Sequence, residues 1–158
     1  MSIKVGDTIP KATINVIKDG IQATDTTAFF AGKKVVLFAV PGAFTPTCSA
    51  KHLPGFIEHL GEFSARGIEV ACVSVNDGFV MGAWGKAQNA PDNLHLLADG
   101  NAEFTKALGL ELDATGFGMG IRSQRFALYA ENGAVKALFV EAPGEFKVSS
   151  AEHVLANI

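Results

Sequence analysis

The sequence predicts an α/β fold built on parallel central strands, and three observations carry that prediction. Residues 35–40 (Val-Val-Leu-Phe-Ala-Val) and 68–75 (Ile-Glu-Val-Ala-Cys-Val-Ser-Val) are short apolar runs rich in β-branched residues, as a strand buried on both faces requires. Apolar residues between and after them recur at helical spacing, and the rhythm strand, helix, strand, helix makes the strands parallel neighbours. The chain has 158 residues, 48% of them hydrophobic, which is single-domain size with enough apolar material for one core.

In order along the chain, residues 12–17 alternate small or polar with apolar side chains and form an early strand, turned by Lys18-Asp19-Gly20. Asp25-Thr26-Thr27 caps a helical turn that reaches Phe30, and Gly32 leads into the strand at 35–40. Pro41-Gly42 ends that strand. Thr45-Pro46, a capping hydroxyl followed by proline at the first helical position, then starts a helix. Leu53, Phe56, Ile57, Leu60 and Phe63 continue it at helical spacing, with Pro54-Gly55 expected to kink it and Gly67 to end it. Asn76-Asp77 caps a helix carrying Phe79, Val80, Trp84 and Ala87.

Residues 94–99 read as a third strand and residues 102–108 as a short helix. Residues 112–120 hold Gly116, Gly118 and Gly120 without a clear period, so a loop is expected. Residues 123–130, the turn Glu131-Asn132-Gly133 and residues 134–141 form the strongest hairpin signal in the chain. Ser149-Ser150 caps a last helix through Val154, Leu155 and Ile158.

Composition excludes several classes of function. A net charge of −3 without a Lys/Arg cluster gives no general attraction to nucleic acid or to an anionic membrane surface. The longest apolar run is far too short to cross a bilayer, and no basic segment leads into a long apolar one at the start, so a cytoplasmic protein is expected. Two cysteines, Cys48 and Cys72, are too few for a disulfide framework and fit a reducing compartment. Gly32-Lys33 lacks the other residues of a phosphate loop, and no Gly-X-Ser-X-Gly elbow is present. His52 lies one turn after Cys48, but two ligands do not make a metal site. It is expected to be a helix-face histidine, with no metal and no cofactor.

Cys48 carries the chemistry. It falls in the first turn of its helix, where free N–H groups and the positive end of the helix dipole favour a thiolate, and it is expected to present an exposed nucleophile. Thr45, three residues earlier, can turn its hydroxyl to the sulfur or to a substrate oxygen. An isolated free cysteine is more often a small buried hydrophobe, yet the flanks point elsewhere. P-G-A-F-T-P-T-C-S followed by K-H-L-P-G-F, from Pro41 to Phe56, resembles the active-site signature of the type II, peroxiredoxin-5-like peroxiredoxins. The resemblance runs from the G-D-T-I-P opening through L-A-D-G and R-S-Q-R-F-A-L to the tail E-A-P-G-E-F-K-V-S-S-A-E-H-V-L.

That resemblance implies a thioredoxin-like fold with a central mixed sheet flanked by helices, and often a homodimer. It implies a thiol peroxidase acting on hydrogen peroxide and organic hydroperoxides. Cys48 would attack the peroxide and become a sulfenic acid, Thr45 would hydrogen-bond the peroxide, and Pro41 would shield the sulfur from water. Arg125 in R-S-Q-R-F would be the active-site arginine, a fixed cation that stabilises charge on the leaving oxygen; Arg122 is its near neighbour. Phe44, Thr47, Phe117 and Met119 are expected around the substrate. Phe79 and residues 112–119 are expected at the pocket wall and dimer contact, although Phe79 fits a core position equally well.

Some relatives carry a further cysteine in the tail, where this chain has Ser149 and Ser150, so that intramolecular disulfide is excluded. Cys72 sits in an apolar strand and is expected to pack inertly. An external thiol, glutathione with glutaredoxin or thioredoxin, is therefore expected to regenerate Cys48. A redox relay and a non-catalytic binding module stay open as alternatives; sulfenylation by stoichiometric peroxide and steady turnover distinguish the three.

Overall fold

A computed structural model describes residues 2–158. Seven strands form one mixed sheet in the order β2-β1-β5-β4-β3-β8-β9. The apolar runs supply its middle: β3 (Lys34–Ala39), β4 (Ile68–Ser74) and β5 (Leu94–Ala98) are parallel neighbours. β1 (Thr13–Ile17) and β8 (Phe126–Glu131) flank them antiparallel. β2 (Ile21–Asp25) and β9 (Ala134–Val140) close the two edges. The β8–β9 hairpin turns through Asn132 and Gly133, both at positive φ (48° and 78°), the backbone that a two-residue turn of matching twist requires.

Alternation along the central strands divides the core in two. Val36, Phe38 and Val40 with Val70 and Cys72 face one side. Helices α2 (Leu53–Glu58), α3 (Leu60–Ala65), α4 (Gly78–Ala87) and α6 (Ala151–Asn157) cover it through Leu53, Phe56, Phe63, Met81, Trp84 and Val154. Val35, Leu37 and Ala39 with Ala71 and Val73 face the other. There α1 (Thr26–Phe30) and α5 (Glu103–Leu108) bring Phe29, Phe30, Phe104 and Leu108. Asp25, Asp77 and Ser150 each accept a backbone N–H as side-chain caps of α1, α4 and α6.

Three local expectations are corrected. β2 was not foreseen: its residues are exposed or half-buried, so no burial pattern marks it. Residues 112–120 are not wholly a loop, since β6 (Glu111–Asp113) and β7 (Ile121–Ser123) pair antiparallel around a 3-10 turn at Thr115–Phe117. The kink expected at Pro54-Gly55 lies elsewhere. The helix that starts at Pro46 widens into a π turn over Cys48–His52, with the Leu53 N–H reaching five residues back to the Cys48 carbonyl. Pro54 then occupies the first turn of α2, where a missing N–H is tolerated. The break between α2 and α3 comes at His59.

Candidate active site

The C-terminal ends of β3 and β4 hold the site. After β3 the chain makes a tight turn at Pro41-Gly42-Ala43-Phe44, closed by the Thr45 N–H on the Gly42 carbonyl (3.3 Å) and passing through Phe44 at φ 65°. Asn76, just beyond β4, accepts the Ala43 N–H (2.9 Å) and so ties this turn to the neighbouring strand. Gly42 lies at a close approach: a Cβ there would lie 3.2 Å from Arg122 Nη1 and from Thr45 Cγ2, so a side chain would require those groups to shift by a few tenths of an ångström. Pro46 begins the helix as expected, but Thr45 does not cap it. Its hydroxyl donates back to the Gly42 carbonyl (2.6 Å), leaving the oxygen lone pairs as its remaining capacity.

Cys48 sits in the first turn, as expected, but its sulfur is fully buried rather than exposed. It faces a cation. Strand alternation explains why: Ala127 and Tyr129 of β8 share the Phe38 face, whereas Phe126 and Leu128 lie on the other, so residue 125 projects toward Cys48. Arg125 Nη2 donates to Cys48 Sγ at 3.1 Å. The guanidinium thus places a fixed positive charge directly against the sulfur.

Arg122 does something else. Its Nε donates to the Met119 carbonyl (2.9 Å) and its Nη1 to the Val75 carbonyl (3.2 Å), pinning the β6–β7 hairpin to the end of β4. Arg125 is thus the arginine at the sulfur and Arg122 a structural clamp.

A pocket of about 330 Å³ opens beside Arg125, lined by Pro41, Thr47, Leu112, Gln124, Arg125, Glu141, Ala142, Pro143, Gly144 and Glu145. Pro41, Thr47 and Arg125 are therefore brought together at it. Phe44 and Phe117 instead point to solvent, 55% and 86% exposed, and Met119 packs toward Gly42. Phe79 is exposed as well, at 81%, and is not a core residue.

Sequence reasoning missed two residues behind Arg125. His52 is fully buried, not a helix-face histidine: its Nδ1 faces Arg125 Nη1 at 2.7 Å and its Nε2 faces the Ser149 carbonyl at 2.9 Å. A carbonyl only accepts, so Nε2 carries the proton and Nδ1 offers a lone pair to the guanidinium. Burial, and then the Arg125 charge, push the His52 pKa down to about 3, against a smaller opposing effect of the Ser149 hydrogen bond.

Glu141 is also buried. Its Oε2 accepts from the N–H groups of Lys147, Val148 and Ser149 (2.8, 2.9 and 2.8 Å) and from the Ser149 hydroxyl (2.7 Å). Burial pushes its pKa up, but these four donors outweigh burial and hold it below the usual carboxylate value. Periodicity could not have found either residue: the partners of His52 lie 73 and 97 residues away, and those of Glu141 lie in an irregular connection without a period.

Cys72 lies in β4 opposite Phe38, fully buried, where burial pushes its thiol well up. Both cysteines are free thiols. Among the described residues no cluster of three or more His, Cys, Asp or Glu side chains could hold a metal ion, and no helix is long and apolar enough to cross a membrane.

A mixed sheet flanked by helices, with a cysteine in the first turn of a helix at the strand ends and an arginine donating to its sulfur, defines a thioredoxin-like thiol-redox protein. The redoxin family matches residues 4–155. The chain is 51% identical to peroxiredoxin-2B of Arabidopsis thaliana over 97% of its own length and 96% of the relative's. It is 53% identical to the chloroplastic peroxiredoxin-2E-2 of Oryza sativa, over 98% and 72%. The crystal structure of reduced Prx3 of Vibrio vulnificus in complex with hydrogen peroxide superposes with a TM-score of 0.92 at 56% identity, covering 98% of each chain. The chain belongs to the redoxin family and, within it, to the type II peroxiredoxins, and it is a thiol-dependent peroxidase.

Proposed function

We propose that Cys48 is the peroxidatic residue, on the strength of one observation: Arg125 Nη2 stands 3.1 Å from its sulfur. The thiolate attacks one oxygen of the peroxide, an S–O bond forms as the O–O bond breaks, and the electron pair leaves on the second oxygen as hydroxide or alkoxide, which takes up a proton. The sulfur is oxidised to a sulfenic acid and the peroxide is reduced to water or alcohol. Arg125 bridges sulfur and peroxide and stabilises the charge developing on the leaving oxygen. The Thr45 oxygen, with its proton committed to Gly42, accepts a hydrogen bond from the peroxide, and Pro41 and Thr47 wall the approach. The pocket is wider than hydrogen peroxide needs and suits organic hydroperoxides as well.

The catalytic cycle uses one cysteine of this chain. Cys72 is held in a central strand, so an external thiol, glutathione with glutaredoxin or thioredoxin, reduces the sulfenic acid. The protein works as one cytoplasmic domain. Exposed Phe44, Phe79 and Phe117 follow β3, β4 and β6, and the Arg122 clamp holds the third near the other two strand ends. They provide the apolar contact of a homodimer, which sedimentation of a Phe79→Asp variant would convert to monomer.

Stopped-flow addition of one equivalent of peroxide, with mass spectrometry of the trapped product, tests the chemistry. A single sulfenic adduct on Cys48 is expected. Oxidation elsewhere, or none on this timescale, would exclude the assignment.

A further inference from the structure

Arg125 can act on the sulfur only if its guanidinium is held in one orientation, and no carboxylate holds it. Its Nη1 donates to His52 Nδ1 (2.7 Å), His52 Nε2 donates to the Ser149 carbonyl (2.9 Å), and Ser149 is itself fixed through N–H and hydroxyl on Glu141 Oε2. The rings of Phe38, Phe56 and Phe146 surround His52, at centroid distances of 4.9, 5.7 and 4.9 Å, and Phe146 also lies 5.9 Å from the Arg125 guanidinium carbon.

We propose that His52 and Glu141 are positioning residues for the peroxidase reaction: Glu141 folds residues 141–149 so that the Ser149 carbonyl fixes the His52 tautomer, and the bare Nδ1 then aims Arg125 at Cys48. The inference rests on the peroxidase reading of Cys48 and Arg125. Its physical content lies in the choice of acceptor. A neutral nitrogen orients the guanidinium without neutralising it, so the whole positive charge stays available to the thiolate and to the departing oxygen. A carboxylate in the same place would form an ion pair that competes with both. The donors of the Glu141 nest, three backbone N–H groups and the Ser149 hydroxyl, all belong to one short connection, so this carboxylate orders that connection.

The test compares variants of the full chain by the rate of Cys48 oxidation with stoichiometric peroxide. His52→Phe fills the aromatic cage but removes the acceptor, and misplacement of the guanidinium should slow oxidation about 100-fold. His52→Asn puts an amide oxygen where Nδ1 was and should recover most of the rate, which a merely structural role for the ring would not give. Should the phenylalanine variant fail to fold, His52→Gln lacks an acceptor at that position and reads the same contact. Glu141→Gln should slow oxidation less, and adding it to His52→Phe should slow the reaction no further, because Glu141 acts through His52.

Wild-type rates in His52→Phe or His52→Gln, or an asparagine variant as slow as the phenylalanine one, would overturn the proposal. Equal and additive losses from the two sites would overturn the chain of action through Ser149. A wild-type protein that fails to consume peroxide would instead remove the peroxidase assignment of Cys48.

Discussion

Cys48 and Cys72 are both fully buried and share one core cluster on the same face of the sheet, yet they sit in opposite chemical settings. Around Cys48 the chain provides a helix start, a π turn and a guanidinium at 3.1 Å. Cys72 lies mid-strand between the registers of β3 and β5, paired with Phe38 and Leu96, and burial first, then the neighbouring Cys48, pushes its thiol up against a smaller opposing effect of Arg125. Solvent exposure therefore does not separate the two thiols. The fixed positive partner does.

Replacement of the first thiol breaks this contrast most completely: Cys48→Ser should abolish peroxide consumption with the fold intact, and residual turnover above the uncatalysed rate would move the chemistry elsewhere. Arg125→Ala comes next. Removing one preorganised donor typically slows such a step by about 100-fold or more, so stopped-flow oxidation of Cys48 should fall by that order. A rate close to wild type would mean that the sulfur needs no cation.

The third prediction concerns the residue behind the arginine. Because folding lowers the His52 pKa from 6.5 to about 3, the unfolded chain takes up a proton below pH 6.5 that the native protein refuses. Its stabilising effect is thus complete above pH 6.5 and is lost progressively as the pH falls toward 3. Between pH 7.5 and pH 5 this amounts to about 2 kcal/mol. Urea unfolding should show His52→Phe less pH-sensitive than wild type by that amount, and equal slopes would mean that the ring titrates normally. The smallest effect belongs to the second thiol: Cys72→Ser should leave thiol-dependent turnover unchanged while lowering stability by about 1–3 kcal/mol, for a hydroxyl placed among hydrocarbon. Accumulation of unreduced sulfenic acid in that variant would give Cys72 a part in the cycle.

The same contrast separates what the sequence reveals from what it conceals. β3, β4 and the β8–β9 hairpin are legible because burial on both faces, or a two-residue turn, writes itself into neighbouring positions. Cys48 and its helix start follow from a local motif, and Arg125 from the resemblance that extends across the chain. β2 escapes because an exposed edge imposes no alternation, and β6 and β7 because three residues are too few to show a period. The π turn has no residue of its own that announces it. His52 and Glu141 look like surface polar residues in their local context. His52 is buried by contacts with residues 125 and 149, far along the chain, and Glu141 by the irregular 147–149 connection, which has no period to read.

Phe44 leaves a practical consequence for anyone who wishes to re-engineer the protein. A phenylalanine at φ 65° occupies backbone territory that glycine enters freely and other residues enter at a cost of about 1–2 kcal/mol. More than half of the residue is exposed to water, so little packing offsets that strain within one subunit. Thermal tolerance can therefore be raised beside the reaction centre without touching the thiol or its guanidinium, at the expense of an apolar handle on the rim.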